Sequence, residues 1–364
     1  MIQLKDLCQK ASSNIAQKDL EGHEGQYPIY GASGLIGYVD FYKQENPYVA
    51  VVKDGAGIGR VMCLPEKSSV IGTMQYILPN EGVNVHYLAF AMEHMNLAKY
   101  FSGATIPHIY FKDYGKEKLL ERTEKEQKSI AEILSKMDSL ISLRKQQIAK
   151  LDELVKARFV EMFGDCKTNP KNWKTKALEK IANVGSSKRV FVEELQDSGI
   201  PFYRGTEIGA LAEKKAVIPA LFITEEHYKQ LCETTGKPQK GDLLMPSICP
   251  DGRIWIVDTD EPFYFKDGRV LWVHLTSANY NSVFLLYTLK DRIMTDYASI
   301  ASGTTFAELK IFALKKCKIF DVPLELQNQF ANFVERVDQQ KQTIQQSLEK
   351  LELMKKALMQ EYFG

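Results

Sequence analysis

The stretch Lys156-Ala157-Arg158-Phe159-Val160-Glu161-Met162-Phe163-Gly164 comes back 200 positions later as Lys356-Ala357-Leu358-Met359-Gln360-Glu361-Tyr362-Phe363-Gly364. Extending the comparison lays residues 102–164 on 302–364 without a gap. Identities fall at Ser102/Ser302, Gly103/Gly303, Thr105/Thr305, Lys116/Lys316, Lys118/Lys318, Gln127/Gln327, Ala131/Ala331, Asp138/Asp338, Gln146/Gln346, Lys150/Lys350 and Leu151/Leu351, before the closing motif adds five more. The total is 16 over 63 positions, where ordinary residue frequencies would give about four. The chain is internally duplicated.

A fainter echo opens each half. Leu4, Leu7, Ser12 and Ser13 answer to Leu178, Ile181, Ser186 and Ser187, and Pro28 and Tyr30 to Pro201 and Tyr203. The offset there is about 174, so the second half carries about 26 additional residues, expected between Ile208 and Lys240. Two homologous halves follow, each a globular unit with a long helix behind it.

The helices carry heptads. Phe330, Val334, Val337, Lys341, Ile344, Leu348, Leu351, Lys355, Leu358 and Tyr362 advance by alternating fours and threes. The same register gives Ile130, Leu134, Met137, Ile141, Arg144, Ile148, Leu151, Val155, Arg158 and Met162. A 3.5-residue repeat keeps such a stripe on one side of a helix. Some 38 helical residues would extend about 57 Å, more than a small domain needs for its own core. The apolar members are therefore expected to pair helix with helix, the alternative being that each helix packs back on its own domain. Arg144, Arg158, Lys341 and Lys355 interrupt the stripe in a way that fixes register or partner. An antiparallel pair would relate the halves by a pseudo-twofold axis and act as a spacer.

The remainder reads as mixed α+β. Tyr48-Val49-Ala50-Val51-Val52, Met74-Gln75-Tyr76-Ile77-Leu78, Arg253-Ile254-Trp255-Ile256-Val257 and Arg269-Val270-Leu271-Trp272-Val273 have strand character, with helices expected over 85–101 and 282–298. The expected division is 1–123 and 166–322 for the globular domains, 124–165 and 323–364 for the helices.

With 364 residues, 45% hydrophobic and 26% charged, the chain is an ordinary folding polypeptide, of about two domains by length. Lys plus Arg total 47 against 46 Asp plus Glu, so net charge names no partner. By segment the balances are 12 to 13, 8 to 8, 22 to 19 and 5 to 6; only 166–322 leans basic. The six cysteines form no C-x-x-C pair and are expected to be reduced. No membrane span or signal peptide is legible in Met1 to Lys10 or beyond, and a cytoplasmic location is expected.

Catalytic patterns are missing. Gly55-Ala56-Gly57-Ile58-Gly59 has the wrong spacing for a dinucleotide loop and precedes a strand-like run, so it reads as a hairpin turn. His23, His86, His94, His108, His227 and His274 show no metal-ligand spacing, and Asn169-Pro170-Lys171 is not a base-flipping methyltransferase pocket. What remains are polar loops: Ser33, Lys53, Arg60, Thr105 and His108 in the first unit, and Ser186, Ser187, Lys188, Arg189, Arg204, Ser247, Arg253, Thr304 and Thr305 in the second. Arginine can bind guanine bidentately, and hydroxyls can reach base edges or phosphate.

In its order of parts the whole chain resembles the specificity subunit of type I DNA restriction–modification systems. Tyr27-Pro28-Ile29-Tyr30-Gly31 with Gly34-Leu35-Ile36-Gly37-Tyr38, and Ile200-Pro201-Phe202-Tyr203-Arg204, look like the openings of that family's two target-recognition domains. Met162-Phe163-Gly164-Asp165 and Tyr362-Phe363-Gly364 look like the ends of its helical regions. The resemblance implies a non-catalytic protein, each domain reading one half of a split, asymmetric site on double-stranded DNA. It also implies two modification (methyltransferase) subunits and restriction subunits as partners, which supply the S-adenosylmethionine, ATP and magnesium chemistry. The alternatives are the specificity part of a related modification or phage-defence system, and a coiled-coil scaffold that binds protein.

Overall fold

A strand that is apolar at every position must be covered on both faces, and the first half is built around one. In the computed structural model, which describes residues 1–103, 107–303 and 307–364, all five residues of Tyr48–Val52 are buried. Val49 and Val51 face a core that includes the helix Val85–His94, whereas Tyr48, Ala50 and Val52 join Val70, Met74 and Tyr76 on the opposite side. The chain divides into two compact units, Met1–Ile148 with Thr343–Gly364, and Ala149–Gln342.

In the first unit the two larger sheets are built from β1 (Cys8–Ser12), β2 (Tyr27–Gly31), β3 (Gly34–Val39), β4 (Tyr48–Val52), β5 (Val61–Leu64), β6 (Ser69–Val70) and β7 (Met74–Pro79). They form an antiparallel sheet in the order β1-β7-β4-β5 and a smaller one, β3-β2-β6, in which β2 and β6 run parallel. Helix α1 (Val85–His94) starts where the Asn84 side chain accepts the amides of His86 and Tyr87, both at 3.0 Å. It stops short of the expected Phe101 because Asn96 adopts a left-handed conformation, φ 50°. Helix α2 (Glu124–Phe163) begins with a capping box: Glu126 accepts the Thr123 amide at 2.8 Å, and the Thr123 hydroxyl accepts the Glu126 amide at 3.3 Å.

The second unit repeats the plan. Its two larger sheets are built from β8 (Ala182–Gly185), β9 (Ile200–Tyr203), β10 (Phe222–Ile223), β11 (Leu243–Pro246), β12 (Trp255–Ile256), β13 (Tyr264–Phe265) and β14 (Val270–Leu275). The sheets run β8-β14-β11-β12 and β10-β9-β13, the second again with one parallel pair. The additional residues build α3 (Gly205–Ala212) and α4 (Glu225–Thr235), so the insertion starts slightly before Ile208. The helix α5 (Ser282–Ile300) is interrupted by non-helical φ/ψ at Asp296. The last helix, α6 (Leu324–Phe363), begins in this unit.

The serine echo has a structural cause. The Ser13 hydroxyl donates to the Val70 carbonyl at 2.5 Å, and the Ser187 hydroxyl to the Phe265 carbonyl at 2.6 Å. In each half a serine after the first sheet strand ties it to the parallel strand of the smaller sheet.

Within each unit, segments of α2 and α6 pack antiparallel. In the first, Lys355 Nζ lies 2.8 Å from Asp138 Oδ1 and Lys145 Nζ 2.9 Å from Glu352 Oε1. In the second, Lys341 Nζ lies 2.6 Å from Asp152 Oδ1, the rings of Phe159 and Phe330 are 5.4 Å apart, and the Arg158 guanidinium sits over Phe333 at 5.9 Å. Ile130, Leu134, Met137, Val155, Phe330, Val334, Val337 and Leu348 are buried, and Ile141, Ile148, Leu151, Ile344, Leu351 and Leu358 half-buried. Of the polar interruptions, Lys341 and Lys355 make cross-helix ion pairs, whereas Arg144 bonds Gln147 of its own helix at 2.8 Å.

Candidate nucleic-acid interface

The hairpin loop between β4 and β5 meets the segment before α2, and this meeting organises the first unit's polar loops. The Ile109 amide donates to the Lys53 carbonyl and the Gly55 amide to the Pro107 carbonyl, each at 3.0 Å. Ser102 and His108 exchange backbone hydrogen bonds at 2.8 Å. Asp54 forms an antiparallel bridge with His108, its carboxylate in contact with the Lys53 ammonium and 2.6 Å from His108 Nδ1. Burial raises the Asp54 carboxyl, but hydrogen bonds from Lys53 and His108, with their charge, outweigh it and hold the group below the usual carboxylate range. Tyr110 is half exposed, its ring 6.5 Å from that of His108, with the Lys112 ammonium 5.3 Å above it.

The glycine run is a turn, as its spacing predicts. Gly59 has φ 81°, and a Cβ there would lie 2.4 Å from the Ala98 backbone nitrogen, so only glycine lets the loop pack this closely. The next residue, Arg60, is exposed and donates to the Ala32 carbonyl at 2.5 Å. That bond holds the exposed Ser33 turn beside the hairpin loop. Ser33, Lys53, Arg60 and His108 thus belong to one connected set of loops; Thr105 lies outside the described residues.

The second unit repeats the framework with other side chains. The Leu309 amide donates to the Ser247 carbonyl at 2.7 Å, matching Ile109 and Lys53, and Ser302 pairs with Glu308 as Ser102 does with His108. Gly252, φ 66°, precedes Arg253 as Gly59 precedes Arg60. Arg253 Nε lies 2.8 Å from Asp251 Oδ2, and its guanidinium also borders Gly209 of α3. At the position of His108 stands Glu308, paired with Arg269 and 3.5 Å from Lys310 Nζ.

Several expected readers are placed otherwise. Ser247 is 2% exposed, buried where it leaves β11, and is not a surface donor. The hydroxyls of Ser186 and Ser187 are committed to the carbonyls of Val270 and Phe265, at 2.6 Å each. Lys188 and Arg189 are exposed, the latter 3.6 Å from Asp267 and over the Phe191 ring. Arg204 grips Glu207 with two nitrogens, at 2.6 and 3.2 Å, at the start of α3. Thr304 and Thr305 lie outside the described residues. For Glu308 and Lys310 the sequence signal is the alignment of 102–164 with 302–364, which sets them against His108 and Tyr110; Asp54 and Arg269 lie outside it and carry no such signal.

Among the described residues no group of three or more His, Cys, Asp or Glu is placed to hold a metal, and no helix is long and apolar enough to cross a membrane. The fold and loops define a class: a duplicated α+β protein whose two globular domains each present a loop set of one construction and each share a core with paired helices. The chain belongs to the type I restriction modification DNA specificity domain family, whose profile matches residues 1–153 and 170–353. A type I restriction enzyme specificity subunit of Haemophilus influenzae is 23% identical over 333 residues, covering 86% of this chain and 80% of its own. One from Methanocaldococcus jannaschii is 23% identical over 391 positions, covering 98% and 89%. The fold is shared with the S subunit of the M. genitalium type I restriction–modification system, with TM-score 0.64 and 17% identity over 100% of this chain and 95% of that one. A chain from a structure of type I restriction–modification assembly and conformational transition gives TM-score 0.56 and 14% identity over 99% and 96%.

Proposed function

We propose that this chain is the sequence-reading, non-catalytic subunit of a type I complex. The hairpin loop 53–60 with residues 107–110 reads one half of a split DNA site, and loop 247–254 with 307–310 reads the other. The observation that carries this is the repeated framework: the Ile109–Lys53 and Leu309–Ser247 backbone bonds fix two loops identically while their exposed side chains differ. A common scaffold with changed loop chemistry is what reading two different half-sites requires. Ser33, Arg60, His108 and Tyr110 in the first unit, and Lys188, Arg189, Arg253 and Arg269 in the second, are the side chains that would meet base edges or phosphates on this reading.

Near-neutral charge fits a division of labour in which partners neutralise most phosphates. Two modification subunits would supply the S-adenosylmethionine chemistry and restriction subunits the ATP- and magnesium-dependent steps. Mapping methylated positions in DNA from cells that express this chain with its modification subunit tests the reading. A two-part motif with a fixed gap is expected, and exchange of residues 166–322 for those of a relative should alter one part only. A protein-binding scaffold would leave methylation without any motif.

A further inference from the structure

Each unit receives a helix end in a socket of the same construction, but the two sockets differ in charge. In the first unit Met359 and Phe363 of α6 are buried with Tyr87, Ile130 and Leu134, the Phe363 and Tyr87 rings 5.3 Å apart. In the second, Phe159 and Phe163 of α2 are buried with Phe284 and Phe330, the Phe163 and Phe284 rings 4.8 Å apart. The repeat equates Phe163 with Phe363, Phe159 with Met359 and Val155 with Lys355. The matched caps Asn84 and Asn281 equate Phe90 with Tyr287 and Glu93 with Lys290.

About two turns before Phe363 and Phe163 the chemistry inverts. Lys355, its side chain only 17% exposed, reaches Asp138 at 2.8 Å and Glu93 at 3.4 Å and lies over the Phe90 ring at 5.4 Å. Its counterpart Val155 is packed into the core at 4% exposure. At the position equivalent to Glu93 stands Lys290, and Asp338, the counterpart of Asp138, is held by Lys214 at 2.7 Å.

We infer that Lys355 with Glu93, and Val155 with Lys290, make each socket selective for its own helix end over the homologous one. Exchanged ends would set Lys355 against Lys290 and leave Glu93 and Asp138 facing a valine, a half-buried charge without its partner. Phe159 in place of Met359 would also overfill the space beside Ile130 and Leu134. The selection is intrinsic to this chain and independent of what its loops bind.

A charge cycle in the full-length chain tests it, read by amide exchange. Val155→Lys alone should speed exchange over 156–163 by roughly tenfold or more, and adding Lys290→Glu should recover most of that. Amides of 85–94 in the first unit serve as the internal reference for a folded protein and should not move. A double variant that exchanges as fast as Val155→Lys alone overturns the inference. So does a Glu93→Lys protein whose 356–363 amides keep the parental rate, because that change gives the first socket the charge of the second.

Discussion

Gln327 accepts the backbone amide of Asn281 through its side-chain oxygen at 2.9 Å, while its own amide group donates to the Val322 carbonyl at 2.9 Å. Gln127 does the same with Asn84 and Arg122, at 3.0 and 3.1 Å. One buried glutamine in each half thus locks the start of a long helix to the cap of an earlier helix of the same unit. Gln327→Ala strips a partner from the half-buried Asn281 amide and from the buried Val322 carbonyl, which costs about 1–3 kcal/mol. Urea unfolding followed by circular dichroism should register that loss, and Gln127→Ala should give a similar one. A change within about 0.5 kcal/mol, the range of ordinary surface substitutions, would show the latch to be idle.

Arg60 and Arg253 stand at equivalent points of the two hairpin loops, each after a left-handed glycine. If each loop reads its own half-site, Arg60→Ala should weaken discrimination in one half of the methylated motif and Arg253→Ala in the other. A single lost base contact should cost about 1–3 kcal/mol of discrimination. Methylation frequencies across a library of site variants measure this directly. Loss spread evenly over both halves from either substitution would mean that the arginines only brace the loops.

The duplication, the helices and the central strands were legible because they rest on local periodicity. Tyr48–Val52 is apolar throughout and buried throughout, and the seam from Phe330 to Leu358 is buried or half-buried in its apolar positions. The loop chemistry was only partly legible, because a hydroxyl's partner is decided by tertiary packing. Ser187 looked like a free surface donor, yet its acceptor is the Phe265 carbonyl, 78 residues away. Ser247 looked like a loop residue, yet it continues a wholly buried strand, Leu243–Pro246. Apolar spacing predicts a helix over 85–101, but it ends at His94 because Asn96 turns left-handed, a choice that no apolar spacing announces.

The inserted helix α3 should report acid. Burial pushes the Glu207 carboxyl up, but hydrogen bonds from Arg204, Thr206 and the Arg204 backbone amide outweigh it and bring the group down to about 2. A depressed carboxylate contributes stability that is fully present above its unfolded value near 4.5 and is lost as pH falls toward about 2. Arg204 stays charged throughout, so the loss follows Glu207 protonation. Urea midpoints measured from pH 6 down to pH 2 should fall more steeply for the parent than for Glu207→Gln, which has no charge to lose. Identical acid limbs would show that the Arg204 grip adds nothing to stability.

Helices α2 and α6 are each 40 residues without a break, and their antiparallel contacts, Lys355 with Asp138 and Lys341 with Asp152, recur within the two units. One heptad inserted into each helix, at 148/149 and 342/343, preserves the seam register and adds about 10.5 Å of helix. At about 3.4 Å per base pair that corresponds to roughly three pairs of duplex. The methylated motif should keep the letters of both halves and gain roughly three unread positions between them. Inserting four residues into one helix alone breaks the register and should abolish methylation altogether. A heptad-extended protein that methylates with the parental gap would show that these helices do not set the spacing of the site.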